Sequence, residues 1–219
     1  MPRSHWLLSS VFCLPAASAV EMCLMKKRVI DPQKKMDQVI HAARKLFVEK
    51  GYYAVPIPEI VKASGVSVGA IYLHFGNKEN LAAAIYQKTL EEFLAMFLER
   101  LAGHETTQSK LQAFAELVFE ITEQDPDMME YMLTMRPGTF PGGNVPLCST
   151  RPFREVQKII ADGVASGEVK PGNPFLAAVS YSGVIVRAIE LRLQGVLQNP
   201  LPEIADELIE NAWASIRAV

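Results

Sequence analysis

Cysteine and histidine are scarce in this chain of 219 residues, and neither is arranged as a metal site requires. The three cysteines, Cys13, Cys23 and Cys148, form no CxxC pair, and the four histidines form no HxxxH pair. Structural zinc sites use such closely spaced ligands, and disulfide scaffolds carry a denser set of cysteines. The sequence therefore predicts no metal site and no disulfide framework.

Patterns typical of strands and of catalysis are missing as well. No segment alternates apolar and polar residues over a strand's length, and no internal repeat is visible. No nucleophile stands beside a base, and no pair of carboxylates suits acid–base chemistry. Asp125 and Asp127 flank Pro126 at a predicted helix boundary, where helix capping explains them. We predict a non-enzyme, without catalytic residues or cofactors.

The composition is that of a helical globular protein with an uneven distribution of charge. Hydrophobic residues make up 49% of the chain and charged residues 21%, and few glycines and prolines interrupt it. Residues 26–80 carry ten basic and five acidic side chains, whereas residues 81–219 carry eleven and eighteen. A basic N-terminal part on an acidic remainder suits a protein that approaches phosphates with one end.

Residues 1–20 resemble a secretory signal. Arg3 is followed by an apolar stretch over residues 6–14 and by the small residues 17–19. One interpretation is export, as a helical protein that binds lipids or small molecules. The other is a start at Met22 or Met25, or a tail outside the folded protein, because the following segment has the pattern of a cytoplasmic DNA-binding domain. We favour the second and expect a cytoplasmic protein.

Apolar periodicity and breaker residues predict an all-α fold. Apolar residues at three- and four-residue steps indicate a first helix that ends at Gly51. Proline at the start and a Gly-containing turn at the end then bound a short second helix over 58–63. A third covers 68–74 and a fourth runs from about 77 to Gly103. Five more are predicted at 109–124, 127–135, 151–166, 174–197 and 201–218.

The second and third helices have the pattern of a helix-turn-helix. Gly65 suits a tight turn, Val66 can fill the space between the helices, and Ser67 is a favourable N-cap for the third. Such a pair can place the N-terminus of its second helix in the major groove of DNA.

Residues 36–81, about a quarter of the chain, resemble the N-terminal domain of the TetR (tetracycline-repressor) family. The resemblance lies in four ordered blocks, namely residues 42–47 with Gly51-Tyr52, residues 60–67, residues 69–75 and residues 77–81. It implies a transcriptional regulator, and we expect a ligand-released repressor that binds an inverted-repeat operator in double-stranded DNA as a homodimer. The expected domains are an extension (1–25), a DNA-binding domain (26–77) and a ligand-sensing and dimerisation domain (78–219).

The predicted DNA-binding residues lie at and after the turn. Small residues allow close approach to the bases, while Tyr72, His74 and Lys78 offer hydrogen-bond donors to phosphates. Two departures from the family pattern, Val55-Pro56 before the second helix and Val68 in the third, predict fewer hydrogen bonds and more apolar contact, for example with thymine methyl groups. The full set is Ser67, Val68, Gly69, Ala70, Tyr72, Leu73, His74 and Lys78.

The last two predicted helices carry apolar stripes that we assign to a four-helix dimer interface. One stripe is Phe175, Val179, Val186, Ile189 and Leu193, and the other is Leu201, Ile204, Leu208, Ala212 and Ile216. Small residues, Ala178, Ser182 and Gly183, would permit close helix approach.

The middle of the chain is rich in methionine and aromatic residues, which adapt to apolar ligands. We expect a small apolar or aromatic inducer, no membrane partner, and a loop over 136–150 that gates the pocket. The fourth helix is the expected lever between ligand and DNA. The predicted ligand-binding residues are Phe93, Met96, Phe97, Phe114, Met128, Met132 and Phe153.

Overall fold

The computed structural model describes residues 32–134 and 149–218, and this part of the chain is helical. Residues 1–25 and most of the predicted gating loop lie outside the described residues, as do the three cysteines. The described segments contain one 3-10 helix, Leu201–Ile204, and nine α-helices: α1 (Pro32–Lys50), α2 (Ile57–Ser64), α3 (Val68–Phe75), α4 (Lys78–Arg100), α5 (Thr107–Gln124), α6 (Pro126–Thr134), α7 (Arg151–Ser166), α8 (Pro174–Leu193) and α9 (Ala205–Ala214).

The buried apolar residues form two clusters. The head cluster joins α1, α2, α3 and the first two turns of α4, with Val39, Phe47, Ile60 and Ile71 almost completely buried. The body cluster joins the rest of α4 with α5 to α9. We refer to these parts as the head and the body. The predicted domain boundary at residues 77 and 78 falls at the start of α4, a helix that supplies residues to both clusters.

Helix α6 packs into both clusters although it has only nine residues. Its Tyr131 is completely buried in the head cluster, where its hydroxyl donates a hydrogen bond to the carbonyl of Ala82 at 3.2 Å. Burial raises the pKa of this phenol. Met129 and Met132, on either side of Tyr131 along the helix, belong to the body cluster. The two clusters are therefore connected through the side chains of one short helix.

The guanidinium of Arg44 forms a second connection between head and body. This side chain, on α1, is almost completely buried, and its Nη2 lies 2.9 Å from Oδ2 of Asp125. Asp125 stands between α5 and α6, and its Oδ1 accepts a hydrogen bond from the backbone N–H of Met128. Nη1 lies 3.5 Å from a carboxylate oxygen of Glu92 on α4. One cation thus holds three helices together at the junction.

The sequence predicted the first seven helices to within about three residues, but the last two end earlier than expected. The predicted helix 174–197 stops at Leu193, because Gly195 adopts a left-handed φ of 70° and the N–H groups of Val196 and Leu197 bond back to the carbonyl of Leu191. The predicted helix 201–218 begins as a 3-10 turn and ends at Ala214. Beyond it, Arg217 pairs with Val169 in an isolated antiparallel bridge.

Helix α8 is apolar on two faces. Its inward face contributes Ala178, Tyr181 and Ile185 to the body cluster. Its outward face exposes Leu176 and Val179, which are 60% and 46% accessible. Among the described residues, α8 is also the one helix with the length and hydropathy of a membrane span. Of that stretch, 28% is buried. Length and composition alone are weak evidence for a span.

Candidate DNA-binding face and ligand cavity

The turn between α2 and α3 has the geometry expected of a helix-turn-helix. Gly65 ends α2 with a φ of 69°, a conformation that costs glycine little, and its N–H donates to the carbonyl of Val61. Val66 is buried in the head cluster, as its predicted role between the two helices requires. Pro56 precedes α2 without a side-chain cap, in agreement with the predicted departure from the family pattern.

Helix α3 is held by one face and exposes the other. Ser67 caps the helix by accepting a hydrogen bond from the N–H of Ala70, and Ile71 and Phe75 pack into the head cluster. The outward surface contains the predicted DNA-binding residues of this helix and its cap. Leu73 is the most prominent, with 90% of its surface accessible. Ala70 is half-buried, and the exposed residues are Ser67, Val68, Gly69, Tyr72, Leu73 and His74.

Gly69 occupies a position where the fold itself does not require glycine. A Cβ built at this residue meets no atom within 4 Å, and its φ is not left-handed. Glycine in a helix costs up to about 1 kcal/mol of stability relative to alanine. The missing side chain therefore leaves free space on the outward face of α3 rather than relieving a clash inside the head.

Lys78 lies apart from the other predicted DNA-binding residues because its ammonium is directed into the head. Nζ donates a hydrogen bond to the backbone carbonyl of Tyr52 at 2.5 Å and lies 4.3 Å from the centre of the Tyr52 ring. Burial lowers the pKa of this ammonium. The Tyr52 hydroxyl donates in turn to Glu79, and burial raises the pKa of Tyr52 to about 12. A phosphate contact by Lys78 stays a prediction, but the residue has a structural role.

An apolar cavity of about 110 Å³ lies inside the body, between helices α4 to α8. Four of the predicted ligand-binding residues, Phe93, Phe114, Met132 and Phe153, line it. The other three do not, because Phe97 is completely buried against the Phe93 and Phe114 rings, Met128 is enclosed in the body cluster, and Met96 packs against that cluster from outside. The spacing of these three residues in the sequence fits the apolar stripes of their helices, but it did not show which side of each helix faces the cavity.

Sequence reasoning missed the wall that α8 contributes to this cavity. Ser182, Ile185, Val186 and Ile189 line it on one side. Val186 and Ile189 were predicted to lie in the dimer interface instead, and Ser182 was predicted to ease helix approach there. A signal was available, because residues 178, 181, 185 and 189 form a second apolar stripe on the same helix. The remaining lining residues are Leu90, Val118, Met129, Leu133, Thr150, Pro152 and Val156.

The predicted dimer stripe on the last helix is also wrong in part. Leu201, Ala212 and Ile216 are completely buried in the body cluster, and Ile216 lies beyond the end of α9. Ile204 and Leu208 are half-buried and pack against the same cluster. The apolar surface that remains exposed on α8 comes from Phe175, Leu176 and Val179, next to exposed Gly183, while Ala178 is buried.

Over residues 32–134 and 149–218, no group of three histidine, cysteine, aspartate or glutamate side chains is placed to hold a metal ion. Opposite charges do pair, and one such pair connects α8 with α5. The Arg192 guanidinium binds Glu123 through two hydrogen bonds of 2.8 and 2.9 Å, and the pKa of this carboxyl is lowered mainly by that pairing.

Comparison with known proteins identifies relatives of both parts of the structure. Residues 39–85 match the family model of bacterial regulatory proteins, tetR family. The chain is 27% identical over 147 residues to a fatty acid metabolism regulator protein of Bacillus subtilis. The aligned segment spans 63% of this chain and 72% of that protein. The match to the family model begins inside α1 and ends inside α4, and so covers the head.

Solved structures share this fold over most of the chain. A TetR family transcription regulator from Marinobacter aquaeolei superposes with a TM-score of 0.73 at 20% identity, covering 85% of this chain and 97% of that one. The transcriptional regulator FadR from Bacillus subtilis, solved in complex with stearoyl-CoA, superposes with a TM-score of 0.68 at 24% identity, covering 83% and 99%.

The structural role of Lys78 can be tested without DNA. Lys78→Ala removes a charge-assisted hydrogen bond to the carbonyl of the buried residue Tyr52, so we expect the free energy of unfolding to fall by about 1 to 2 kcal/mol in urea titrations. Lys62→Ala, on the exposed surface of α2, is the control and should change it by less than about 0.5 kcal/mol. Equal stability of the two variants would show that the Tyr52 contact contributes nothing.

Proposed function

We propose that this chain is a DNA-binding transcriptional regulator of the tetR family and acts as a homodimeric repressor, which leaves its operator when a long-chain acyl compound enters the body. The observation that carries the DNA-binding part is the outward face of α3, which is fixed from behind by Ile71 and Phe75 and left free in front. The family match covers this helix and its supports. The proposed domains keep the predicted boundaries, with residues 78–219 as the sensing and dimerisation part.

The assignment to a family of regulators favours DNA binding over the exported, lipid-carrying alternative. That family consists of regulators rather than enzymes. A regulator that binds DNA must work where the DNA is, so we propose a cytoplasmic location. The proposed DNA contacts are Ser67, Val68, Gly69, Ala70, Tyr72, Leu73 and His74, with Lys78 contributing through the position of Tyr52.

The proposed dimer interface is the outward face of α8. Leu176 and Val179 expose apolar surface there, Phe175 lies beside them, and Gly183 allows a close approach of helices. A contiguous exposed apolar surface on a soluble protein commonly marks an interface. A twofold axis that passes through this surface and runs along the head-to-body direction would place both heads on the same side of the dimer, as an inverted-repeat operator requires.

The proposed ligand is a long-chain acyl compound such as an acyl-CoA. The cavity wall consists almost entirely of aliphatic, aromatic and thioether side chains, which suits a hydrocarbon chain. The comparisons point in the same direction, since one relative regulates fatty acid metabolism and one similar structure contains stearoyl-CoA.

The cavity must expand to hold such a ligand. Its volume of about 110 Å³ is below the roughly 300 to 1,000 Å³ of most ligand pockets. The wall formed by α6 is well suited to move, because Met129, Met132 and Leu133 line the cavity from a helix of only nine residues.

Movement of α6 would reach the head directly. Tyr131 on this helix is enclosed by the head cluster, and Asp125 at its start binds Arg44 of α1. A ligand that displaces Met129 and Met132 would therefore shift the head relative to the body. The expected lever, α4, takes part too, since it supplies Leu90 and Phe93 to the cavity. A ligand weakens DNA binding only if it binds the displaced conformation more tightly.

Gly69→Ala should separate folding from DNA binding. The added methyl group meets no neighbour within 4 Å, so we expect the free energy of unfolding to stay the same or rise by up to about 1 kcal/mol. The same methyl group would stand between α3 and the bases, so we expect operator affinity to fall by at least about tenfold. Fluorescence anisotropy with a fragment selected from genomic DNA measures the affinity. Unchanged affinity would remove Gly69 from the contact surface.

Leu176→Glu tests the dimer interface. A carboxylate at the centre of the apolar surface should give a monomer at micromolar concentration, as measured by light scattering, because an unpaired charge is costly to bury. Val196→Glu introduces the same charge at a residue that is 64% accessible beyond the end of α8, and this variant should remain a dimer. A dimeric Leu176→Glu protein would place the interface elsewhere.

Val118→Phe tests the ligand cavity. The larger side chain fills space beside Phe114, so palmitoyl-CoA should no longer release the operator fragment, while DNA affinity without ligand stays within about twofold. In the unmodified protein, saturating palmitoyl-CoA should weaken DNA binding by about 5- to 150-fold, and DNA should weaken ligand binding by the same factor. Leu98→Phe, on the exposed side of α4, is the control. Full release of the Val118→Phe protein would contradict this cavity.

A further inference from the structure

A polar cavity of about 240 Å³ lies against the apolar one. The two share Leu90 of α4 and Thr150, the residue that precedes α7, as lining residues. A molecule that fills the apolar cavity could therefore extend into the polar one. The contact between the two spaces matters because a ligand with a hydrocarbon chain and a polar end would need this combination.

Two arginines line the polar cavity. They are the two arginines in the described part of the chain that form no ion pair within it. The described segments contain seven arginines, and five of them pair with carboxylates within the chain. Arg151 and Arg154 do not, and both line the polar cavity. They lie three residues apart in the first turn of α7, so their side chains emerge on the same side of the helix.

The same cavity holds one carboxylate. Glu91 of α4 lines it, and its Oε1 accepts a hydrogen bond from the side chain of Gln87 at 3.0 Å. The two guanidinium groups outnumber this carboxylate, which leaves the cavity with a net positive charge. An anion would be attracted to it, and a neutral polar group would not gain from this charge.

We propose that Arg151 and Arg154 bind the anionic end of the ligand whose apolar chain occupies the neighbouring cavity. This inference rests on the proposed function, and it adds an anionic group to the purely apolar inducer expected from the sequence. The planar guanidinium forms paired hydrogen bonds with both carboxylate and phosphate oxygens. A fatty carboxylate and a phosphate-bearing acyl compound both supply this chemistry.

Three probes with the same hydrocarbon chain separate the contribution of the anionic group from that of the chain, namely dodecanol, dodecanoate and dodecyl phosphate. They are titrated by calorimetry below the solubility limit of dodecanol and below the micelle concentrations of the two anions. The unmodified protein should bind at least one of the two anions about tenfold or more tightly than dodecanol, and this preference should shrink as salt is added. The Arg151→Gln, Arg154→Gln double variant should lose the preference and bind dodecanol within about twofold of the unmodified protein. The ratio of the two anion affinities identifies carboxylate or phosphate as the preferred group.

Lys158→Gln is the matched control, because Lys158 is an exposed cation on the same helix that does not line either cavity. It should keep the full anion preference. Equal binding of all three probes by the unmodified protein would overturn this inference and leave the apolar cavity intact. Persistence of the preference in the double variant would overturn it as well, by placing the anion elsewhere. Failure to bind any probe would contradict the ligand cavity of the proposed function itself.

Discussion

The buried guanidinium of Arg44 constrains the rest of the structure. A charge removed from water is stable only with compensating partners, and those of Arg44 are Glu92 on α4 and Asp125 at the junction of α5 and α6. The compensation is incomplete, since Nη1 forms no hydrogen bond within the described residues and faces Glu92 at 3.5 Å. A buried cation with such a distribution of partners fixes α1 relative to α4 and to the start of α6. Displacing either carboxylate would change the environment of Arg44 immediately.

Much of the fold was predictable from local patterns. Gly65, Ser67 and the apolar spacing of α1 identified the helix-turn-helix and its boundaries, because turns, caps and amphipathic faces are decided by neighbours along the chain. Val68, Tyr72 and Leu73, which the helix-turn-helix pattern and the family resemblance assigned to the DNA-facing surface, are exposed. The end of α8 was missed although Gly195 marks it, because the apolar residues Val196 and Leu197 extend the helical pattern of the sequence.

The arrangement of the body was harder to predict, because helices there are apolar on more than one side. Periodicity showed that α8 has buried faces but not whether a given face meets the chain's own core, a cavity or a second copy. Ile189 and Ala212 were assigned to the wrong one of these. The contact of Lys78 with Tyr52 was missed for a related reason, because the sequence does not show that the Tyr52 carbonyl lies within reach of this ammonium. Contacts between residues distant in sequence decide such cases.

The diameter of helix α8 separates the surfaces of two proposed functions, ligand binding and dimerisation. One face lines the cavity through Ser182 and Ile185, and the other exposes Leu176 and Val179. A helix with its side chains is about 10 Å across, so in a dimer built on this face the two cavities would lie only about two helix diameters apart. Occupation of one cavity would press on the helix that touches the partner's corresponding helix. Ligand titrations of the dimer would then deviate from independent binding, with a Hill coefficient different from one, and the response to ligand would become a property of the pair.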